Sequence, residues 1–198
     1  AALERSAVTP ESIEEVLMGC VLPAGLRQAP ARQAALGAGL PMGTPCTTIN
    51  KMCGSGMKAA MLAHDHILAG SGRIAIAGGL ESMSNAPYLL PKARSGYRLG
   101  NGELLDHMFV DGLEDAYEPS KLMGNFAEDC AARYSFSRKD QDDFAIESLT
   151  RATEAIENGA FRDEIISVSV NTRKETITVD TDEQPLAANI EKIPYLKP

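Results

Sequence analysis

The chain contains no tryptophan, and only five tyrosines and five phenylalanines among 198 residues, so its interior has to be built from Ala, Leu, Ile, Met and Val. Cysteines are few. Cys20, Cys46, Cys53 and Cys130 lie too far apart for a C-x-x-C pair, which excludes the usual zinc and dithiol redox signatures. Scattered thiols favour a reducing compartment, and a cytoplasmic location is expected. No window reaches the ~18 consecutive apolar residues of a membrane-spanning helix, so a soluble chain with no membrane partner is expected. An excess of positive charge is also missing. With 19 basic against 27 acidic residues, the net charge of −8 excludes a protein that coats nucleic acid through a broad basic field. What is present, 44% hydrophobic residues in dispersed clusters with 23% charged, is the composition of a folded domain and not of a disordered tail. The opening AALERSAV reads as a helix end entering a turn, with neither an initiating Met nor a secretory leader, and suggests an interior start.

Along the chain, short apolar runs alternate with helical patterns. Residues 16–22 (VLMGCVL), 45–50 (PCTTIN) and 73–79 (RIAIAGG) have the length and composition of buried strands. Between them, residues 29–37 and 55–70 read as helices, the second rich in Ala, Met and Leu and stopped by Gly70. Alternation at this spacing predicts an α/β fold with a mostly parallel sheet. After Glu81 the pattern changes: residues 84–112 carry Pro87, Pro91, Gly96, Gly100 and Gly102 with little periodicity and read as an extended inserted loop. Helices return at 121–134 and 138–158, the latter with Ser137 as N-cap and Gly159 as stop, and residues 165–170 and 176–179 alternate as short strands. The expected division is therefore an α/β domain over 1–83 and an inserted loop and helical domain over 84–198.

The chemistry concentrates in NKMCGSG, residues 50–56, where Cys53 falls between a predicted strand and the first turn of a predicted helix. The free N–H groups and positive end of that helix favour a thiolate. Gly54 and Gly56, lacking Cβ atoms, let the backbone turn sharply and let an acyl group approach the amides, which are suited to hold a developing oxyanion. The arrangement parallels the strand–nucleophile–helix elbow of hydrolases with sulfur in place of oxygen. Spacing alone equally admits Cys53 as a small apolar residue beside a plain turn. Cys20 and Cys130, in apolar runs, and Cys46, in a strand pattern, read as structural. None of the three histidines is a suitable base. His64 is eleven positions beyond Cys53, about 16 Å along a helix axis; His66 points away from His64, so the two make no metal pair; His107 has no carboxylate spacing that suggests a triad. No metal site is expected.

The blocks NKMCGSGMKA, AGGLESMSNAPYLLPKAR, LLDHMFVDGLEDAY and LMGNFAEDCAARYSFSRKDQDDFAIESLTRATEAI, in this order and over essentially the whole chain, resemble the thiolases. The resemblance implies a thiolase-like N-terminal α/β layer carrying an inserted loop domain. It assigns Cys53 as the nucleophile that takes the acyl group as a thioester, with its own amide in the oxyanion hole. It places Leu113 beside bound coenzyme A and Met123 in the lining of the acyl pocket. Leu122 departs from the His that many short-chain members have there, so acyl-chain length is left open. Lys92, Arg94 and Arg98 fall on a loop that implies a phosphate-attracting or assembly patch, with a solvated basic loop as the alternative.

The implied reaction is acetyl transfer: condensation of two acetyl-CoA to acetoacetyl-CoA, or thiolysis of a 3-ketoacyl-CoA by CoA. Coenzyme A thioester is the substrate, no tightly bound cofactor is expected, and the implied assembly is a homodimer through residues 45–49, or a homotetramer. The family's G-H-P histidine and second cysteine do not occur here. The chain therefore matches an interior part of the thiolase pattern, and a catalytically incomplete fragment or interaction module is the alternative. The resemblance also implies a central strand before Ala1, between the strands at 16–22 and 73–79. On that basis 1–198 alone is expected to leave unpaired edges and not to fold as a stable monomer.

Overall fold

The computed structural model describes residues 1–197, and these form two compact units, Ala1–Asn125 and the residues from Phe126 on. The first unit opens with α1 (Ala2–Ser6), closed by Ala7 in the left-handed region, and continues through β1 (Glu15–Gly19), α2 (Pro30–Gly37), β2 (Cys46–Ile49), α3 (Ser55–Leu68) and β3 (Ala75–Gly79). The strands form one parallel sheet in the order β2-β1-β3. Because strand side chains alternate, β1 feeds two cores. Val16 packs with Ile13, Ala35 and Leu40 on the face covered by α2, and Leu17 with Ala59 and Ala63 on the face covered by α3. Burial on both faces explains the unbroken apolar run.

The expected intervening strand is overturned by this register. β1 and β3 are direct neighbours, paired from Glu15↔Ala75 to Gly19↔Gly79, so β1 itself is the central strand, and the unpaired sides belong to β2 and β3.

Glu14 fastens the other end of the sheet. Its carboxylate accepts the backbone N–H of Arg73 and, at 3.3 Å, that of Ile74. These bonds hold its pKa below the ordinary value of about 4.5. A carboxylate with a depressed folded-state pKa contributes stability that is present above the unfolded value and lost as pH falls through the folded one. Glu14→Gln should therefore lower the melting temperature at pH 7, with the difference from the parent shrinking below about pH 4.5; a gap that is constant from pH 7 to pH 3 would refute this.

Residues 84–112 are less irregular than their composition suggests. β4 (Tyr88–Leu89) and β5 (Leu105–Asp106) pair antiparallel, and a π turn follows at Phe109–Leu113. Only two residues pair on each strand, too few to leave a periodic signal. The segment belongs to the first unit, so the compact units divide later than the change in composition at residue 83.

α4 (Met123–Tyr134) follows. In the second unit, α5 (Arg138–Glu157) begins with a reciprocal capping box: Ser137 Oγ accepts the Asp140 N–H and Asp140 accepts the Ser137 N–H at 2.8 Å. The hairpin β6 (Val168–Asn171) and β7 (Thr176–Val179), then α6 (Glu183–Ala187) and a 3-10 helix (Ile190–Tyr195), follow. Among the described residues no helix is long and apolar enough to cross a membrane.

Candidate active site

The three parallel strands end together, at Gly19, Ile49 and Gly79. In open α/β sheets, sites assemble at this carboxyl edge. Cys53 lies there, on the link from β2 to α3. The link is fixed by its own polar groups. Asn50 Oδ1 accepts the Met52 N–H at 3.0 Å, and the Ser55 hydroxyl donates to Met52 O at 2.5 Å while accepting the Lys51 N–H at 2.8 Å. Ser55 is only 5% exposed, which shields its two bonds from water. They hold Met52 at φ 49°, a conformation that costs a residue with a side chain free energy and persists only where its neighbours over-determine it. The turn delivers Cys53 to the surface, immediately before Gly54, the N-cap of α3. Its thiol therefore combines exposure with a helix N-terminus.

Glycines on the sheet set how close that helix end comes. A Cβ added to Gly19 would lie 2.7 Å from Gly56 N and from Ser55 C, and one on Gly79 would lie 3.8 Å from Gly56 Cα. Backbone thus rests on backbone under the elbow. From sequence, Gly54 and Gly56 are legible as turn residues, whereas Gly19 and Gly79 look like ordinary strand ends; their only signal is that both apolar runs carry Gly at the same place.

Glu81 is a second residue that sequence reasoning passes over. Its carboxylate accepts the N–H groups of Val21 and Leu22, both at 2.9 Å, and faces Cys20 Sγ at 3.6 Å, tying the segment after β1 to the segment after β3. Burial, reinforced by that carboxylate, pushes the Cys20 thiol up, and burial pushes Cys46 up. Cys130, expected to be structural, is exposed on α4, whose one buried residue is Ala131. It lies on the apolar stripe of α4 with Met123, Ala127 and Tyr134, and that stripe is itself exposed, so helical periodicity alone did not report burial. Under limiting iodoacetamide near neutral pH, Cys53 should alkylate first, Cys130 more slowly for lack of a helix N-terminus, and Cys20 and Cys46 last. Equal labelling of Cys53 and Cys130, read by peptide mass mapping, would remove the case for an activated thiol.

Leu113 closes the π turn, and Met123 opens α4. An isolated antiparallel bridge, Glu114↔Leu122, pairs the residues that follow Leu113 and precede Met123, so the two elements meet at that bridge. The turn reaches the carboxyl edge of the sheet, since a Cβ on the adjacent Gly112 would lie 3.3 Å from Leu22 Cδ2. Cys53 has no side-chain hydrogen bond to either residue, or to a histidine, among the described residues. His64 is exposed beside Asp65, and His66 lies against Gly72. His107 does have a carboxylate partner, contrary to expectation: Nδ1 is 2.7 Å from Asp111 Oδ2, a pairing at i, i+4 that a helical turn makes and a loop does not. Lys92, Arg94 and Arg98 lie exposed on a turn braced by the Tyr97 hydroxyl donating to Pro91 O.

A cysteine on a strained elbow, at the carboxyl edge of a helix-covered parallel sheet, defines an α/β protein that presents an exposed thiol at a helix N-terminus. The family described as thiolase, N-terminal domain, matches residues 1–198, and the chain belongs to it. It is 50% identical over 184 residues to an acetyl-CoA acetyltransferase of Chromobacterium violaceum, covering 92% of this chain and 47% of that protein. It is likewise 50% identical over 194 residues to the acetyl-CoA acetyltransferase of Schizosaccharomyces pombe, covering 97% of this chain and 49% of that one. The crystal structure of the Acat5 thiolase from Ascaris suum in complex with coenzyme A superposes with a TM-score of 0.90 at 39% identity, over all of this chain and 49% of that one. The chain spans about half the length of the relatives it matches.

Proposed function

We propose that Cys53 is the acyl-carrying nucleophile of a thiolase-type acetyltransferase, with Leu113 and Met123 lining the site that receives the coenzyme A thioester. The position of Cys53 carries this reading: an exposed thiol on a rigid elbow at a helix N-terminus, on the carboxyl edge of the sheet. In the first half-reaction the Cys53 thiolate attacks the thioester carbonyl carbon, the carbon–sulfur bond to CoA breaks, and CoA leaves as a thiol after taking up a proton. In the second, the C2 carbanion of another acetyl-CoA attacks the carbonyl carbon of the Cys53 thioester, the bond from that carbon to Sγ breaks, and acetoacetyl-CoA leaves with Cys53 returned as a thiolate; in reverse, CoA thiolyses a 3-ketoacyl-CoA. Splitting one difficult exchange into two transfers is what a covalent intermediate contributes. The Cys53 amide is the proposed oxyanion donor, and the groups that move protons are proposed to lie outside residues 1–198.

The proposal extends to a cytoplasmic enzyme whose copies pair through β2, supported by the unpaired side of that strand, as a homodimer or homotetramer. Residues 1–83 and 84–198 are proposed as the α/β domain and the inserted domain of the family pattern. The deciding experiment is incubation of the intact protein with acetyl-CoA followed by peptide mass mapping. An acetyl group on Cys53, released when CoA is added, is expected. An unmodified Cys53 would instead support an interaction module.

A further inference from the structure

His107 stands between β5 and the π turn Phe109–Leu113. It is 5% exposed, its Nδ1 is 2.7 Å from Asp111 Oδ2, and its Nε2 is buried with no hydrogen-bond partner among the described residues. With a carboxylate as acceptor, Nδ1 carries the proton. A single bond therefore anchors the ring, and it reaches from a residue before the wide turn to one in its middle. π turns are rare and need such support. The rest of the support comes from backbone N–H groups: Asp106 Oδ1 accepts the Met108 N–H at 2.9 Å, the Glu114 N–H donates to Phe109 O at 2.8 Å, and the His107 N–H donates to Pro87 O at 3.2 Å. The turn ends on Leu113, beside the Glu114↔Leu122 bridge that leads into α4. A buried imidazole with one unpaired nitrogen is a costly way to fill space that leucine fills freely. What leucine does not do is hold Asp111, and with it the turn that presents Leu113.

We propose that His107 and Asp111 are a positioning pair for binding of coenzyme A thioesters, acting through Leu113. This rests on the thiolase reading above, in which Leu113 contacts the coenzyme. Neither residue touches the reacting atoms, so their loss weakens binding and leaves the chemical step intact.

The test compares variants of the intact protein by calorimetric titration with coenzyme A in a Cys53→Ala background, which removes turnover, and by steady-state kinetics with Cys53 present. Asp111→Ala should weaken coenzyme A binding about ten-fold, raise KM in parallel and leave kcat within about two-fold. His107→Asn, whose amide nitrogen takes the place of Nδ1, should bind within about two-fold of the parent, whereas His107→Leu should behave like Asp111→Ala. In a Leu113→Ala background, Asp111→Ala should add nothing further, because the two act as one unit. Unchanged binding in Asp111→Ala, a fall in kcat with KM unchanged, or an undiminished effect in the Leu113→Ala background would each overturn the proposal. If Asp111→Ala fails to fold by thermal melting, His107→Leu carries the same expectations and refutations. A parent that binds coenzyme A while Cys53 takes no acetyl group defeats the thiolase reading, and the binding series still decides the pair; a parent that binds no coenzyme A overturns both.

Discussion

Cys53→Ser is expected to lower acetyl transfer by on the order of 10³-fold or more while leaving coenzyme A binding nearly unchanged. Serine keeps the elbow. The side chain at 53 is exposed and makes no side-chain hydrogen bond among the described residues, so exchanging sulfur for oxygen opens no cavity and strands no polar group. The bonds that fix the turn belong to Asn50 and Ser55 and survive the change, as does the amide at position 53. What is lost is the proposed nucleophile. A hydroxyl ionises far less readily than a thiol, and no base contacts residue 53 among the described residues to take up its proton. The loss should therefore fall on kcat and on the acetyl adduct, with the affinity for coenzyme A preserved. A variant retaining a tenth of parental kcat would show that Cys53 is not the acyl carrier; one that loses coenzyme A binding together with kcat would show that the residue holds the fold of the site.

Much of the first unit was legible because its signals are local and repeated. The apolar runs at 16–22, 45–50 and 73–79 coincide with β1, β2 and β3 to within a few residues, and the Ala- and Met-rich pattern after Gly54 is α3. Cys53 was legible for the same reason, since strand, Gly-x-Gly and helix lie within a dozen residues. Strand order was not, because parallel strands are joined by long crossovers whose spatial neighbours sequence spacing does not specify. Hence β1 and β3 were expected apart and are adjacent. The β4–β5 pair and the π turn were hidden for another reason: two-residue strands and a single wide turn have no period to detect. His107 and Glu81 belong to that class as well. Each acquires its role from a partner placed by the fold, Asp111 across the turn for one and the Val21 and Leu22 amides for the other.

Gly19→Ala is expected to destabilise the protein by about 3 kcal/mol, the upper range for forcing atoms into a packed interior. The added Cβ would sit 2.7 Å from Gly56 N and Ser55 C and 2.8 Å from Ser55 Cβ, distances that no flexible side chain can relieve because two of the three neighbours are backbone. Relief requires the first turn of α3 to lift from β1. That turn contains Ser55, whose hydroxyl bonds hold Lys51 and Met52 in place, so a lifted helix also loosens the elbow under Cys53. The substitution should thus move two observables together: the midpoint of urea unfolding and the rate at which iodoacetamide takes Cys53, which falls toward that of Cys130. Gly37→Ala, on α2 with nothing within 4 Å of the new Cβ, is the control and should be neutral or stabilising by up to about 1 kcal/mol. Stability lost without any change in Cys53 labelling would mean that the thiol owes its reactivity to the link alone and not to the seating of α3 on the sheet. Loss of both would trace the reactivity of the Cys53 thiol one layer deeper, to a glycine on the strand beneath α3.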